Sequence, residues 1–292
     1  MIKIGTRNSK LALVQTDLVI QKITQIFPDL QFKIVEISTA GDTNFTIKTD
    51  DGGIKGMFTK EIDNKLITGE IDIAIHSLKD MASVIPQGLK IATVLEREDP
   101  RDAFICNKYS NLKDLPIGST IGTSSIRRKL MLANYRKDLK IIHFRGNLQT
   151  RLKKLDNGEV DAIILAVSGL NRIGLQNRIT QILPINIMMP AISQGAIGVV
   201  CLEKNHKIAN IFSTINHSES MSSIKTERAF AQAMNANCGT PLGVWSQIYN
   251  NKISIDSCFI DEKTNKIYTA KTNGYVGQEI EIGKKLADII FE

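Results

Sequence analysis

The segment from Gly122 to Leu155 carries ten Lys and Arg residues but a single acidic residue, Asp138. The whole chain has a formal charge of only +7, so its positive charge is concentrated in this segment. Five of the eleven arginines lie there, but only five of the 26 lysines. A guanidinium group binds a carboxylate or a phosphate through two parallel hydrogen bonds. The bias towards Arg therefore indicates a site for small oxyanions rather than a solvated basic surface.

The motif GTSSIRR, which begins at Gly122, has the pattern of a strand end, a turn and a helix start. The free N–H groups of a helix N-terminus, together with the hydroxyl groups of Ser124 and Ser125, would form an anion-binding site. The alternative is an ordinary capped helix without a ligand. The two arginines that follow, Arg127 and Arg128, favour the anion site.

A second candidate group is Asp80, which follows an apolar strand in the motif AIHSLKD. A carboxylate beside a desolvated cleft could stabilise a cationic intermediate or transfer a proton. The alternative is that Asp80 caps a turn and pairs with Lys79. We expect His76 of the same motif to be structural.

A third candidate is Cys238, in the loop-like sequence NANCGTPLG after a predicted helix. An accessible thiol can be a nucleophile or an attachment point, although most free cysteines are inert core residues. Cys106 and Cys201 lie in apolar runs, and we predict that both are buried. The four cysteines form no CxxC pair, so we predict neither a disulfide framework nor a metal site.

These groups require a scaffold, and the sequence predicts one of alternating strands and helices. The strand-like runs MIKIG and KIVEIST flank an amphipathic helix at Leu11 to Ile26, and MFTKEIDNKLITG predicts a helix before the strand IDIAIH. This alternation is typical of an α/β fold with parallel sheets. From about residue 222, a helix, three strand-like runs and a final helix predict a small α+β domain.

Two short sequence echoes indicate that the α/β part contains two similar lobes. IGTRNS resembles IGTSSI, and GEIDIAI resembles GEVDAII, in the same order along the chain. Two such lobes would place their loop-rich strand ends across a cleft. The motif DDGGIKGMFTK, residues 50–60, would be either a lid over that cleft or a surface loop.

Composition argues against several other classes of protein. No apolar run approaches the roughly 18 residues of a membrane span, and the N-terminus lacks a signal-peptide core, so we expect a cytoplasmic protein that does not contact a membrane. A GxxxxGK[ST] phosphate-binding loop is absent. The basic segment contains only two aromatic residues, Tyr135 and Phe144, so nucleic acid is a less favoured partner than a small anion.

Seven ordered segments of the sequence resemble the porphobilinogen deaminase (hydroxymethylbilane synthase) family, and the resemblance runs nearly end to end. They are IGTRNSKLALVQ, GGIKGMFTKEID, AIHSLKDM, GTSSIRR, FRGNLQTRLKKLDNGEVDAIILAVSGLNRIG, PAISQGAIGVVC and NCGTPLG. The resemblance implies a transferase of tetrapyrrole and haem biosynthesis that condenses four porphobilinogen molecules head-to-tail, with release of ammonia. It also implies a cytoplasmic monomer with two lobes similar to periplasmic binding proteins and a third α+β domain. The implied boundaries are residues 1–96 with about 195–215, residues 97–194, and residues 216–292.

The same resemblance implies roles for individual residues. A dipyrromethane cofactor would be attached to Cys238 through a thioether, and Asp80 would be the catalytic residue and would contact the cofactor. The other cofactor-binding residues implied are Lys55, Lys79, Thr123, Ser124, Ser125, Arg127, Arg128, Arg145 and Gly146. The implied substrate-binding residues are Arg7, Ser9, Arg145, Arg151, Arg172 and Gln194.

The ligand that the resemblance implies matches the basic segment in charge. Porphobilinogen carries an acetate and a propionate, so each unit adds about two negative charges at neutral pH. The rival hypothesis is a non-catalytic two-lobed protein that binds or senses carboxylates, which would need neither Cys238 nor Asp80. One departure from the family is the glycine-poor sequence Met234 to Asn237, where many members have a glycine pair.

Overall fold

The structure is a computed structural model that describes residues 1–39, 59–237 and 239–292. No helix within these ranges combines the length and the apolar character needed to cross a membrane. The helices described are α1 (Lys10–Ile26), α2 (Lys60–Ile67), α3 (Ile126–Tyr135), α4 (Leu148–Asp156), α5 (Val167–Arg172), α6 (His206–Ser213), α7 (Ser218–Ala233) and α8 (Glu279–Ile289).

Thirteen strands form three sheets in the described part of the chain. Those before the third domain are β1 (Ile2–Arg7), β2 (Phe32–Ile37), β3 (Ile73–Ser77), β4 (Leu89–Val94), β5 (Asp102–Cys106), β6 (Thr120–Gly122), β7 (Lys140–Ile142), β8 (Ala162–Ala166), β9 (Gln181–Ile182) and β10 (Ile197–Leu202). The third domain contains β11 (Leu242–Tyr249), β12 (Lys252–Ile260) and β13 (Ile267–Tyr275).

The first sheet has the strand order β2-β1-β3-β10-β4. The strand β1 is parallel to β2 and β3, whereas β10 is antiparallel to β3 and β4. Buried side chains such as Ile4, Ile73 and Val199 lie among a larger apolar cluster of this sheet. Burying an aliphatic side chain of this size contributes about 1.5–3 kcal/mol, which explains why these strands are almost continuously apolar.

The second sheet has the order β7-β6-β8-β5-β9 and repeats the plan of the first. Its β6 is parallel to β7 and β8, and β5 is antiparallel to β8 and β9. The paired sequence echoes fall on equivalent strands, since the first pair lies at β1 and β6 and the second at β3 and β8. The structure therefore confirms the prediction of two similar α/β lobes.

The third domain is an antiparallel sheet, β11-β12-β13, covered by α7 and α8. Phe230 of α7 and Leu286 of α8 are fully buried against this sheet. The α/β class with a small α+β third domain is thus confirmed. The residue boundaries of the three domains stay a prediction.

A buried ion pair joins the third domain to the segments that connect the two lobes. Glu227 of α7 is completely buried and accepts two hydrogen bonds from Arg97, which lies between β4 and β5. It also accepts a 2.7 Å hydrogen bond from the backbone N–H of Ser193, just before β10. Further hydrogen bonds come from the backbone N–H and the hydroxyl group of Ser246. One carboxylate therefore holds both connections and the third domain.

The connection that returns to β10 passes close to the one that leaves β4. Gly195 has a φ of +90°, in the left-handed region. A Cβ atom at this position would lie 2.3 Å from the carbonyl oxygen of Glu98. Gly195 is therefore required by its backbone conformation and by the close approach of the two connections.

We predict that Gly195→Ala lowers the free energy of unfolding by roughly 3 kcal/mol or more, because it adds a backbone clash to left-handed strain. Gly158→Ala is the matched control, since Gly158 has a φ of +77° but open space around the added methyl group. That variant should lose only about 1–2 kcal/mol. Urea unfolding of both variants measures the difference, and equal losses would contradict the proposed clash.

Candidate functional site

The loop that carries Asp80 is fixed by the buried residue before it. Residues Leu78 to Asp80 form a 3-10 turn after β3, and Leu78 is 1% exposed. A Cβ atom at Gly198 of β10 would come within 2.3 Å of Leu78 Cδ2, so the glycine makes room for the leucine. With Leu78 anchored in the core, Lys79 and Asp80 line a cavity of about 240 Å³.

This cavity, which we call the central cavity, is lined by parts of both lobes and the third domain. The second lobe contributes the start of α3, and the segment before β10 contributes Gln194. The third domain contributes residues on either side of position 238 in the chain. The polar lining residues are Lys79, Asp80, Ser83, Ser125, Arg127, Arg128, Gln194, Arg228, Asn237 and Thr240.

The start of α3 is an ordinary N-cap whose first turn carries two buried arginines. The hydroxyl group of Ser125 accepts a hydrogen bond from the backbone N–H of Arg128, and Ser125 is itself the N-cap residue. Thr123 accepts a hydrogen bond from the N–H of Ser125, and Ser124 donates one to the carbonyl of Phe144. These three hydroxyl groups therefore organise the turn that places the arginines.

Arg127 and Arg128 bind a carboxylate within the protein, Asp102, which is completely buried. Arg127 Nη2 lies 2.8 Å from Asp102 Oδ2, and Arg128 Nη2 lies 2.7 Å from Oδ1. Burial alone would raise the pKa of Asp102, but the two guanidinium charges outweigh it and hold the pKa well below its usual range. Two cations share one anion, so the cluster retains a net positive charge beside the central cavity.

Gln194 connects this cluster to Lys79. Its side-chain amide donates to Asp102 Oδ1 at 2.9 Å and to the carbonyl of Pro100, and its Oε1 accepts a hydrogen bond from Lys79 Nζ at 3.3 Å. Burial lowers the pKa of Lys79 to about 8, although the side chain keeps some exposure to the cavity and nearby Asp80 favours the charged form. Lys79 is therefore largely a cation at neutral pH.

Asp80 and Arg7 face each other across the end of the first sheet. Arg7 Nη1 is 4.0 Å from Asp80 Oδ2, and the two side chains are 22% and 34% exposed. Ser9, two residues after Arg7, is the N-cap of α1 and accepts a hydrogen bond from the N–H of Ala12. The Asp80 carboxylate remains accessible from the cavity.

The other predicted ligand-binding residues lie on the second lobe, and only some reach the same cluster. Arg151 of α4 is half-buried, its Nε has no hydrogen-bond partner among the described residues, and burial lowers its pKa to about 10. The charge of Arg128 also lowers this pKa, and that of Asp80 raises it. Arg172 instead donates a hydrogen bond to the carbonyl of Gly195. Arg145 is half-buried after β7.

Two of the predicted residues lack a structural description, and one is a glycine with a clear local role. Lys55 and Cys238 lie outside the described residues, as does the predicted lid motif up to residue 58. Gly146 has a φ of +131°, and a Cβ atom there would lie 2.8 Å from Thr150 Cγ2. It therefore lets the chain turn tightly into α4.

The glycine-poor sequence before position 238 is accommodated by an asparagine. Asn235 has a φ of +49° and follows the C-cap of α7, Met234. The N–H of Ala236 donates to the carbonyl of Ala231, and the N–H of Asn235 to that of Gln232. This is a Schellman motif, in which Asn is an accepted substitute for Gly.

Sequence reasoning missed several residues of the site. Asp102 had a signal, since an acid at the first position of the buried strand DAFIC needs a buried cation. Arg228, inside α7, had none, because an arginine in a helix more often lies on a solvated face. The predicted burial of Cys106 and Cys201 is confirmed, and Cys258 is also buried.

A second cavity, of about 180 Å³, lies between α2 and residues 81–86. Its lining is mostly apolar and includes Asp63, whose pKa burial raises to about 6. Asp63 Oδ1 lies 3.8 Å from Nε2 of the buried His76. Lys60 is the only cationic residue in the lining of this second cavity, whereas Lys79, Arg127, Arg128 and Arg228 line the central cavity.

The fold and the cavity together define a class of protein: a two-lobed α/β protein with a cleft rich in cationic side chains and a third domain at the edge of that cleft. Comparison with known proteins then identifies the family. Residues 2–210 match the model of the porphobilinogen deaminase dipyrromethane cofactor binding domain, and residues 221–292 match that of the porphobilinogen deaminase C-terminal domain. The chain belongs to the porphobilinogen deaminase family.

Two porphobilinogen deaminases agree with this assignment along the whole chain. The porphobilinogen deaminase of Rickettsia canadensis is 44% identical over 99% of this chain and 97% of its own length. That of Clostridioides difficile is 38% identical over 100% and 97%. Among solved structures, a periplasmic substrate-binding protein of an ABC transporter from Coxiella burnetii is 14% identical, with a TM-score of 0.47, and the match covers 76% of this chain and 94% of that one.

These comparisons confirm the predicted activity. The chain is a transferase that makes hydroxymethylbilane in tetrapyrrole biosynthesis, and it contains the binding domain for a dipyrromethane cofactor. The rival hypothesis of a non-catalytic carboxylate sensor is not favoured. The roles of individual residues are a separate question.

The buried Asp102 generates a stability prediction. Asp102→Asn should lower the free energy of unfolding by about 3–5 kcal/mol, because it leaves two buried guanidinium groups without a counter-charge. Asp156→Asn is the control, since the Asp156 side chain forms an ion pair with Arg178 but is 46% exposed. That variant should lower the free energy of unfolding by less than about 1 kcal/mol. Urea unfolding at pH 7 measures both. A loss for Asp102→Asn no larger than the control would show that the carboxylate is dispensable.

Proposed function

We propose that the central cavity is where the cofactor is held and the substrate units are joined, with Cys238 as the point of attachment. One observation carries this proposal: Asn237 and Thr240, which bracket position 238 in the chain, line the same cavity as Asp80 and Lys79. Asn237 is held in place, since its N–H donates to Thr240 Oγ1 and its Oδ1 accepts from the N–H of Gly239. A thioether at position 238 would begin at the edge of this cavity.

The chemistry of the lining fits a polyanionic cofactor made of pyrrole rings. Acetate and propionate groups need cationic donors, and Lys79, Arg128 and Arg228 line the cavity. The Nε atoms of Arg127, Arg128 and Arg151 are buried and have no partner within the described ranges. Pyrrole N–H groups need an acceptor, and Asp80 is the carboxylate in the lining. When bound, the dipyrromethane supplies the pyrrole carbon to which the first substrate unit is joined.

We propose the following division of roles. Lys79 and the Arg127–Arg128–Asp102 cluster provide a positive potential, while Ser125 and Gln194 fix the geometry of the cluster. Arg7, Ser9, Arg151 and Arg172 would receive the carboxylates of the incoming substrate. The remaining cofactor contacts proposed are Lys55, Thr123, Ser124, Arg145 and Gly146.

Asp80 is proposed to act on the substrate directly. When porphobilinogen loses ammonia, the fragment that remains is a cation, with its charge shared by the pyrrole nitrogen. The Asp80 carboxylate, 34% exposed at the cavity, can stabilise that cation and accept the proton released when the new carbon–carbon bond forms. Lys79 cannot replace it, because a cation opposes the developing charge.

We also propose that the protein works as a monomer in the cytoplasm, with no nucleic acid partner. Both lobes and the third domain of a single chain line the central cavity. Part of the basic segment is neutralised within the protein, for example Arg136 by Asp138 at 2.6 Å. These pairs leave less charge for a nucleic acid backbone than the sequence alone indicates.

The attachment site is tested by intact-protein mass. Protein produced in cells that make porphobilinogen should exceed its sequence mass by one linked dipyrromethane, and Cys238→Ser should abolish the addition. Cys201→Ala is the control, since Cys201 is fully buried and should leave the addition in place. An addition that survives in Cys238→Ser would overturn the assignment of the anchor.

The role of Asp80 is tested by steady-state kinetics. Asp80→Asn keeps the shape of the side chain but removes its charge and basicity, so turnover should fall by about a hundredfold or more, with the Cys238 addition retained. Asp80→Glu should keep more activity than Asp80→Asn, because the charge survives. A turnover of Asp80→Asn within about threefold of wild type corresponds to a change in activation free energy of less than about 1 kcal/mol. Such a result would mean that another group is the catalytic carboxylate.

A further inference from the structure

Arg228 is a buried cation that has no carboxylate partner among the described residues. It lies on α7, is 6% exposed, and burial is the cause that lowers its pKa to about 10. The other buried arginines differ, since Arg127 and Arg128 pair with Asp102 and Arg97 pairs with Glu227. Burying an unpaired charge is costly, so such a charge is expected to have a partner that arrives from outside the protein.

The guanidinium group of Arg228 is oriented by the loop that follows Asp80. Its Nη2 donates to the carbonyl of Ala82 at 2.5 Å and to that of Ser83 at 2.9 Å. Gln232, one turn further along α7, donates to the same Ser83 carbonyl at 2.8 Å. The hydroxyl group of Ser83 in turn donates to the carbonyl of Ala236 at 2.8 Å. Hydrogen bonds therefore hold the loop at Ala82 and Ser83 to α7 and to the segment that follows it.

These contacts use only one of the three nitrogen atoms of the guanidinium group. In the described part of the chain, Nε and Nη1 of Arg228 donate no hydrogen bond, and the side chain lines the central cavity together with Asn237 and Lys79. Nη1 therefore keeps its N–H donors for a ligand, and such a donor forms a strong, charge-assisted hydrogen bond with a carboxylate.

We propose that Arg228 binds a carboxylate of the cofactor through Nη1, while Nη2 stays on the loop that follows Asp80. Arg228 is thus a ligand-binding residue contributed by the third domain, on the same helix that leads to Cys238. This inference rests on the proposed function of the central cavity. It explains why a buried cation with no acidic partner in the described part of the chain lies ten residues before the proposed anchor.

The test measures how apo protein acquires its cofactor. Protein made in cells that lack porphobilinogen is mixed with porphobilinogen, and intact mass follows the formation of the covalent addition over time. Arg228→Met should slow this formation at least tenfold, and Arg228→Lys, which keeps the charge but not the planar guanidinium group, should fall between Arg228→Met and wild type. Arg178→Met removes a surface cation outside the cavity and should match wild type.

A second measurement separates ligand binding from a structural role. Arg228→Met also removes the hydrogen bonds to the carbonyls of Ala82 and Ser83, so some loss of the urea midpoint of the apo protein is expected in either case. If Arg228 only supports the fold, addition should slow in proportion to the loss of midpoint, as it does in Gln232→Met. Under the proposal, Arg228→Met slows addition far more than that proportion. Gln232→Met removes a neighbouring loop contact but keeps the guanidinium group, so it should slow addition less than Arg228→Met.

Three results would overturn the proposal: wild-type rates of addition in Arg228→Met, an equal loss in Gln232→Met, or a lowered midpoint that accounts for the loss. If the proposed function of the central cavity is itself wrong, a different result is expected. In that case Cys238→Ser would still acquire the addition, whatever residue occupies position 228.

Discussion

The cationic centre of this protein is stable only because one buried carboxylate, Asp102, balances part of its positive charge. Arg127 and Arg128 lie in the first turn of a helix, and both are almost fully removed from water. Without an anion between them, their mutual repulsion and the loss of hydration would oppose folding. Asp102 is the first residue of β5, between β8 and β9 in the second sheet, so its ion pairs with the two arginines also hold the helix against the sheet.

The same carboxylate reaches the first lobe through Gln194. The amide of Gln194 binds Asp102 on one side and Lys79 on the other, and Lys79 is adjacent to Asp80. A second buried carboxylate, Glu227, joins the same connecting segments to the third domain through Arg97 and Ser193. Two carboxylates thus hold the three parts around one cavity, and the cations that they leave unneutralised are those that we propose bind the cofactor.

The sequence predicted the parts of the fold that local patterns determine. Strand β1 and helix α1 follow from apolar runs with periods of two and 3.6 residues, and Asp80 was expected after a strand because the apolar run ends there. The insertion of β10 between β3 and β4 could not be predicted, since it pairs residues more than a hundred positions apart. Long-range pairing leaves no periodic signal in a short segment.

The pairing of charges in the site was likewise not predictable from the sequence. The bias towards Arg between residues 122 and 155 correctly marked a cationic centre, but composition does not tell which cations are already paired. Arg127 and Arg128 were expected as direct ligand contacts, which stays a prediction, and the pairing of their Nη2 atoms with Asp102 was not expected. The sequence could not identify Arg228 as a residue of the site. Its importance comes from the residues around it in space and from the absence of an acidic partner within the described ranges.

The central claim is that the cations lining the central cavity and left without a full counter-charge hold the carboxylates of the cofactor. A crystal structure of the protein that carries its dipyrromethane tests this most directly. The account predicts cofactor carboxylate oxygens within hydrogen-bond distance of Lys79 and Arg228, with the pyrrole N–H groups directed at Asp80. A cofactor whose carboxylates lie in solvent, or that occupies the cavity beside α2, would contradict it.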